Sequence, residues 1–336
     1  MSDLRTIPAI MSAACLAAAA LAFAASAWAD QQAPGATRIA RWKDDKKAAF
    51  LLMFDDSAPS QVKNVLPELV KRGLIGTFYV NPGKGEWKVF KDAWEKEFPA
   101  AGMEYGNHTW THKGARDVAN LEEELVQSNE LIMRLFPGKS PRLISFGRPG
   151  VPKEAWNITP EQLAQALAKH HLIERPTFDG HGAAIHAKTA DDMMRLVDRA
   201  IAAGGAEYII YHGVGGDWIS VPAAAFTEFL DRLAAKRDQV WVAGHISAHK
   251  YETERASAEV KTVEATDRII RLELASKADP KFYDFPLTLI TQVPAAWKVC
   301  EITQGPGKAT APVTGGAVRY EALPNAEPIV IRPAAH

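Results

Sequence analysis

From about residue 47 the chain alternates short apolar runs with amphipathic helical windows, seven times over roughly 210 residues. The runs are Ala48 to Phe54, Leu74 to Val80, Met103 to Asn107, Arg142 to Phe146, Leu172 to Pro176, Glu207 to Gly213 and Gln239 to Ala243. A short continuous apolar run fits a strand covered on both faces, as in a parallel sheet. Between the runs, apolar residues recur at helical spacing. Val62, Val65, Leu66, Leu69 and Val70 precede a stop at Gly73, with Pro67 predicting a kink or a fresh helix start. Asn120 and Glu123 resemble a capping box over Leu121, Leu125, Ile132 and Leu135, and Thr189 caps a helix ending at Gly204-Gly205. Seven β-then-α units predict an α/β barrel of parallel strands, one unit short of the eight-unit barrel of about 250 residues.

After about Tyr251 the period changes to two. Ile269 to Leu274, Leu287 to Val293, Val318 to Glu321 and Ile329 to Ile331 alternate apolar and polar residues, punctuated by Gly, Pro and Asn. That predicts a small C-terminal antiparallel sheet or sandwich. The expected organisation is a leader over 1–29, a barrel over 36–255 and a β-sandwich-like domain over 256–336.

The leader reading rests on Arg5, the alanine-rich run from Ile10 to Ala25, and Ala27-Trp28-Ala29 before Asp30. These match a signal peptide cleaved ahead of Asp30, and the run is short for a membrane anchor. The expected mature protein is periplasmic or secreted, with no membrane anchor after cleavage. Cleavage removes Cys15 and leaves Cys300 as the second of only 2 cysteines, so no internal disulfide forms. Cys300 lies in a strand-like apolar stretch and reads as a buried, inert thiol. A metal must then be held by histidine and carboxylate. The formal net charge of −1, without a basic stripe, argues against nucleic acid as a partner.

Chemistry gathers at the ends of the strands. Asp55 and Asp56 close the first one, and adjacent carboxylates repel unless a cation neutralises one of them. His108 and His112 follow the third strand, four residues apart, a spacing that lets one helical turn offer both imidazoles to a single ion. No Glu follows His108, which excludes the HExxH pattern. The sixth strand ends in His212, placed for proton transfer or for capping a carbonyl. The fourth ends in Ser145-Phe-Gly-Arg-Pro-Gly150, where the Arg148 guanidinium is within reach of a carboxylate on a neighbouring strand. His181 and His186 read as loop histidines of the surface, and Met193 and Met194 as core.

Taken in order, these residues resemble the polysaccharide deacetylase family, the carbohydrate esterases with a NodB homology domain. Phe54-Asp55-Asp56 is similar to its TFDD motif, with Met53 in place of Thr. His108-Thr-Trp-Thr-His112 matches H[ST]xxH, Arg148-Pro149-Gly150 resembles a shortened arginine–proline motif, and Ile210-Tyr-His212 matches LxH. The resemblance covers about residues 47 to 255 and implies a distorted (β/α)7 barrel with its site at the strand C-termini. It further implies that Asp56, His108 and His112 hold a divalent metal, zinc first, with cobalt, nickel or iron as alternatives. Asp55 would take a proton from water, Arg148 would orient it, and His212 would protonate the leaving amine or alkoxide.

Gly150 stands where the family has an aromatic residue, at the backbone donor for the oxyanion. The D-x-x-D-W motif has no counterpart between Arg148 and His212 beyond Phe178-Asp179. Trp110 and Trp218 either stack on sugar rings or wall the rim. The implied partner is an acetylated glycan carrying N- or O-acetyl groups. The alternatives are an amidohydrolase of a small cyclic amide or imide and an inactive glycan-binding module.

Overall fold

The computed structural model describes residues 33–178 and 180–334, so the expected leader and Asp179 lie outside the described residues. The chain divides into two compact units. One comprises Ala40–Ser257 and Ser276–Leu287; the other comprises residues 33–39, Ala258–Ala275 and 288–334. Relative to the expected boundaries, a strand ahead of the barrel joins the β unit, and a twelve-residue segment beyond it returns to the α/β unit. No described helix is long and apolar enough to cross a membrane.

In chain order the strands are β1 (Thr37–Ile39), β2 (Ala48–Asp55), β3 (Thr77–Val80), β4 (Glu104–Asn107), β5 (Ile144–Phe146), β6 (Leu172–Glu174), β7 (Ala206–Tyr211) and β8 (Val240–Ala243). β2 to β8 form the parallel sheet of the α/β unit, in the order β6-β5-β4-β3-β2-β7, with β8 also paired to β2. The length of β2 allows this. Residues 48–51 pair with β8 and residues 53–55 with β3, while β7 occupies the opposite edge. Among the described residues no ladder joins β6 to β7 or β8. The seven strands are those expected, and they make a part-barrel with one open side, whose free β7 edge is met by a single bridge from Ala183.

All eight residues of β2 are buried. Phe50, Leu52 and Phe54 enter the large core that includes the helices, whereas Leu51 and Met53 join an inner cluster with Tyr79, Ile210 and Ala243. Apolar side chains on both faces explain why the run shows no alternation. Burying each phenylalanine contributes about 2–3 kcal/mol, and Phe54 stacks on both Phe78 and Tyr211, at 4.6 and 5.2 Å between centroids. The strand end that carries the paired aspartates is therefore rigid.

Helix boundaries follow their caps. Gly73 and Gly204 terminate helices in the left-handed region, as expected. Thr189 and Thr159 both form capping boxes. The helix Val118–Leu135 begins earlier than the Asn120 signal suggests, because Asp117 is the cap and accepts the Asn120 N–H. At Pro67 a π-helical turn, Gln61–Val65, passes into the α-helix Leu66–Arg72, which accommodates the missing N–H near its start.

The second unit adds β9 (Glu259–Ala265), β10 (Ile270–Ala275), β11 (Leu287–Gln292), β12 (Val299–Gln304), β13 (Gly307–Thr314), β14 (Ala317–Ala322) and β15 (Ile329–Pro333). Together with β1 they form one eight-stranded sheet, β1-β11-β14-β13-β12-β15-β10-β9. This corrects the expected sandwich. Gly35 donates its N–H to Gln292 after β1 pairs with β11, and its carbonyl accepts from Thr262 on β9, at 2.8 and 2.9 Å. The two ends of the sheet thus meet at Gly35, and the sheet curls into a near-barrel around one core of Ile270, Leu272, Leu289, Ile302, Val318, Ile329 and Ile331. A Cβ on Gly35 would lie 2.9 Å from both Ala265 and Thr262. Cys300 is a buried free thiol, and burial raises its pKa to about 11, as its inert reading requires.

Candidate active site and metal centre

The parity of β2 determines what Asp55 can reach. Leu51 and Met53 face the inner cluster, so Asp55 continues that series inward. Strand alternation predicts that Asp56 points the other way. It does not, because Asp56 leaves the strand in the left-handed region, at φ 76°, followed by Ser57 at 51°. The turn brings both carboxylates to one imidazole: His212 Nε2 is 4.0 Å from Asp55 Oδ2 and 3.8 Å from Asp56 Oδ2.

The two histidines four apart are held by a loop and not by the helical turn expected. Thr109 and His112 adopt positive φ, 60° and 59°. Asn107 accepts the Thr109 N–H at 2.8 Å, and Thr109 Oγ1 accepts the His112 N–H at 3.1 Å. From the helix Val118–Leu135, buried Glu124 accepts both the Thr111 N–H and the Thr111 hydroxyl at 2.7 Å. The loop places His108 Nε2 3.2 Å and His112 Nε2 2.9 Å from the same oxygen, Asp56 Oδ1.

His108 Nδ1 lies 2.6 Å from the Gly147 carbonyl, which can only accept, so Nδ1 carries the proton. The Nε2 of a neutral His108 then turns a lone pair toward a carboxylate lone pair. A cation between them resolves the repulsion. One ligand atom from each of Asp56, His108 and His112 falls within 4.8 Å of the others, and buried Asp56 Oδ1 has no hydrogen-bond donor. Two nitrogens and one oxygen converging on a partly open position fit a divalent transition ion. Burial raises the Asp56 pKa, but its contacts with His108 and His112 outweigh this and hold it well below the usual carboxylate range.

His212 is buried, and its ring meets Phe178 edge-on at 4.4 Å. Burial pulls its pKa below the ordinary imidazole value, against the opposing charges of Asp55 and Asp56. Buried Gln61 joins the two strand ends from below, donating to the Asp55 carbonyl at 2.6 Å and the His212 carbonyl at 3.0 Å.

The guanidinium that reaches Asp55 belongs to Arg175, which corrects the expectation for Arg148. Arg175 Nη2 donates to Asp55 Oδ2 at 2.5 Å, Nη1 donates to the Pro176 carbonyl, and the guanidinium lies 4.7 Å over the Tyr79 ring. Arg148 is exposed and lies 4.7 Å over Trp156. The reason is again parity: Ser145 and Gly147 face inward, so Arg148 faces out. Gly147 matters because a Cβ there would meet Tyr79 at 2.8 Å and Arg175 Nε at 2.9 Å. Its absence is the gap through which Arg175 enters. The signal was present in the sequence, since Arg175-Pro176 closes the run Leu172 to Pro176 as an arginine–proline pair at a strand end.

Gly150 is exposed, with open space where a side chain would be. Trp110 packs on the core and abuts Gly83, so it walls the rim. Trp218 instead donates its indole N–H to Asp56 Oδ2 at 2.6 Å. His181 pairs with Glu207 on the surface, at 2.8 Å, and His186 is exposed.

Residues 43–167 match the sequence pattern of the polysaccharide deacetylase family. That stretch of the chain is similar to a polysaccharide deacetylase domain. The match contains Asp55, Asp56, His108 and His112; Arg175, His212 and Trp218 lie beyond it. A gellan lyase of Bacillus sp is 25% identical over 312 residues, covering 82% of this chain and 12% of that protein. The chain thus spans about an eighth of the length of that curated relative. Among solved structures, a family 4 carbohydrate esterase from Streptomyces lividans in complex with acetate is 21% identical, covering 59% of this chain and 93% of that one, with a TM-score of 0.41. The peptidoglycan deacetylase PdaC from Bacillus subtilis is 17% identical over 60% of this chain and 90% of that one, with a TM-score of 0.43. A family 4 pseudoenzyme from Bacillus anthracis is 19% identical over 60% of this chain and 64% of that one, with a TM-score of 0.41.

Proposed function

We propose that this chain is an exported, metal-dependent deacetylase that removes N- or O-acetyl groups from a polysaccharide or oligosaccharide. The observation that carries the reading is the convergence of Asp56, His108 and His112 within 4.8 Å, beside Asp55 and His212, in a chain whose residues 43–167 are similar to the polysaccharide deacetylase family. Zinc suits two imidazoles and a carboxylate, and cobalt, nickel and iron suit them too. Such an ion supplies Lewis-acid polarisation of the acetyl carbonyl and activation of water.

The remaining chemistry belongs to the side chains. Asp55, paired with Arg175 and oriented by it, accepts the proton of the attacking water. His212 faces the same space and donates a proton to the departing amine or alkoxide. Export rests on the leader reading of residues 1–29.

The test is metal content beside acetate release from a panel of N- and O-acetylated glycans. Metal uptake with acetate release from at least one glycan is expected. Metal uptake with hydrolysis of a cyclic amide alone, or with glycan binding and no turnover, would replace this reading by one of its alternatives.

A further inference from the structure

The loop after β7 is built around one contact. Gly213 donates to the Trp218 carbonyl at 3.1 Å, Gly215 donates to Val221, and Val221 donates back to Gly213, so the loop is closed at its neck. A Cβ on Gly213 would lie 2.0 Å from the Gly216 carbonyl oxygen, which leaves glycine as the residue that fits. Asp217 and Ile219, on either side of Trp218, both adopt left-handed backbone, φ 66° and 49°. An isoleucine there is costly, and such strain persists only where surrounding contacts over-determine it. Asp217 supplies one of them, accepting the Ser60 N–H at 2.6 Å. Lys84 supplies another, its Nζ 4.8 Å from the Trp218 ring centroid.

What this loop secures is the aim of the indole. Trp218 Nε1 can only donate, and it donates to Asp56 Oδ2 at 2.6 Å. The other oxygen, Oδ1, faces both imidazoles. The two oxygens of one carboxylate thereby take separate tasks. We infer that Trp218 is a positioning residue of the metal centre: it reserves Oδ2 and leaves Oδ1 as the oxygen offered beside His108 and His112. The inference rests on the metal reading proposed above and extends it to a residue outside the matched motifs. A hydrogen-bond donor behind a ligand carboxylate fixes its orientation, and loss of such partners typically weakens metal affinity by roughly 10- to 100-fold.

The experiment titrates the full chain with zinc against a competing chelator, comparing wild type with Trp218→Phe, which keeps an aromatic ring and removes the N–H. Affinity should fall by roughly 10- to 100-fold. The visible absorption of the cobalt-loaded protein should also change, because a freed Oδ2 alters the ligand field, whereas loss of packing alone would leave that spectrum in place. Asp217→Ala, which loosens the loop and spares the indole, should weaken zinc in the same direction by less, and it carries the test if Trp218→Phe does not fold. Unchanged affinity and a superimposable cobalt spectrum would overturn the role of Trp218 while leaving the metal centre standing. A folded wild type that takes up no zinc or cobalt would overturn the metal reading itself.

Discussion

Arg175 Nη2 and Asp55 Oδ2 are 2.5 Å apart, and both side chains are 2% exposed. Removing one partner of a buried pair leaves an uncompensated charge, at a cost of about 3–5 kcal/mol. Arg175→Ala should therefore lower thermal stability and slow acetate release by roughly two to four orders of magnitude, the usual worth of an acid–base group. Arg148→Ala should stay within a few-fold of wild type, since its partner is Trp156. If Arg148→Ala is the crippled variant, the assignment is reversed.

The two aspartates separate by metal content. Asp56→Asn removes the carboxylate that faces both imidazoles and should lose metal and activity together. Asp55→Asn leaves those contacts intact and should retain near-stoichiometric metal while losing turnover. Elemental analysis of both variants beside acetate release decides the matter. Asp55→Asn arriving without metal would make Asp55 the ligand and exchange the two roles.

Gly147→Ala is a sharper probe of the same geometry. Its added methyl would meet Tyr79 at 2.8 Å and Arg175 Nε at 2.9 Å, so the guanidinium must shift away from Asp55. The backbone carbonyl that receives His108 is kept. Metal should remain bound while turnover falls at least tenfold. A variant with wild-type turnover would show that the approach of Arg175 tolerates displacement.

The α/β unit also carries a pH dependence away from the site. Glu254 is buried, accepts the Phe285 N–H at 3.1 Å, and has its pKa raised to about 7, by burial first and then by the charge of Asp284. A carboxyl raised above its unfolded value favours the protonated folded state. Its stabilisation is complete below about pH 4 and is lost as pH rises through about 7. Glu254→Gln keeps an acceptor and removes the titration, so above pH 7 it should be more stable than wild type by roughly 2 kcal/mol and melt higher. Melting curves from pH 4 to 8 that run parallel for the two proteins would refute this.

The strands were legible because burial leaves short apolar runs, and each of β2 to β8 falls within its run to one residue: β2 runs on to Asp55 and β7 starts at Ala206. Asp56, His108 and His112 were legible as residue types, but not the means that join them. The left-handed backbone at Asp56 and the Glu124 clamp on Thr111 depend on contacts distant in sequence. Arg175 was hidden by a motif likeness at Arg148, although counting parity from Ser145 turns Arg148 outward. The three residues of β1 carry too little pattern to announce themselves, and their partner strand lies about 250 residues later.

That partner distance bears on how the molecule is made. Thr37 pairs with Thr291, and the chain crosses between its two units four times, at 39/40, 257/258, 275/276 and 287/288. Synthesis proceeds from the N-terminus, so Ala40–Ser257 emerges while β1 still waits for β11. Closing so long a loop adds little to the thermodynamic cost but delays the contact. The β unit is therefore the last part of the molecule to be completed. A chain cut short anywhere before β15 keeps an unclosed sheet, with open edges available for pairing with other chains.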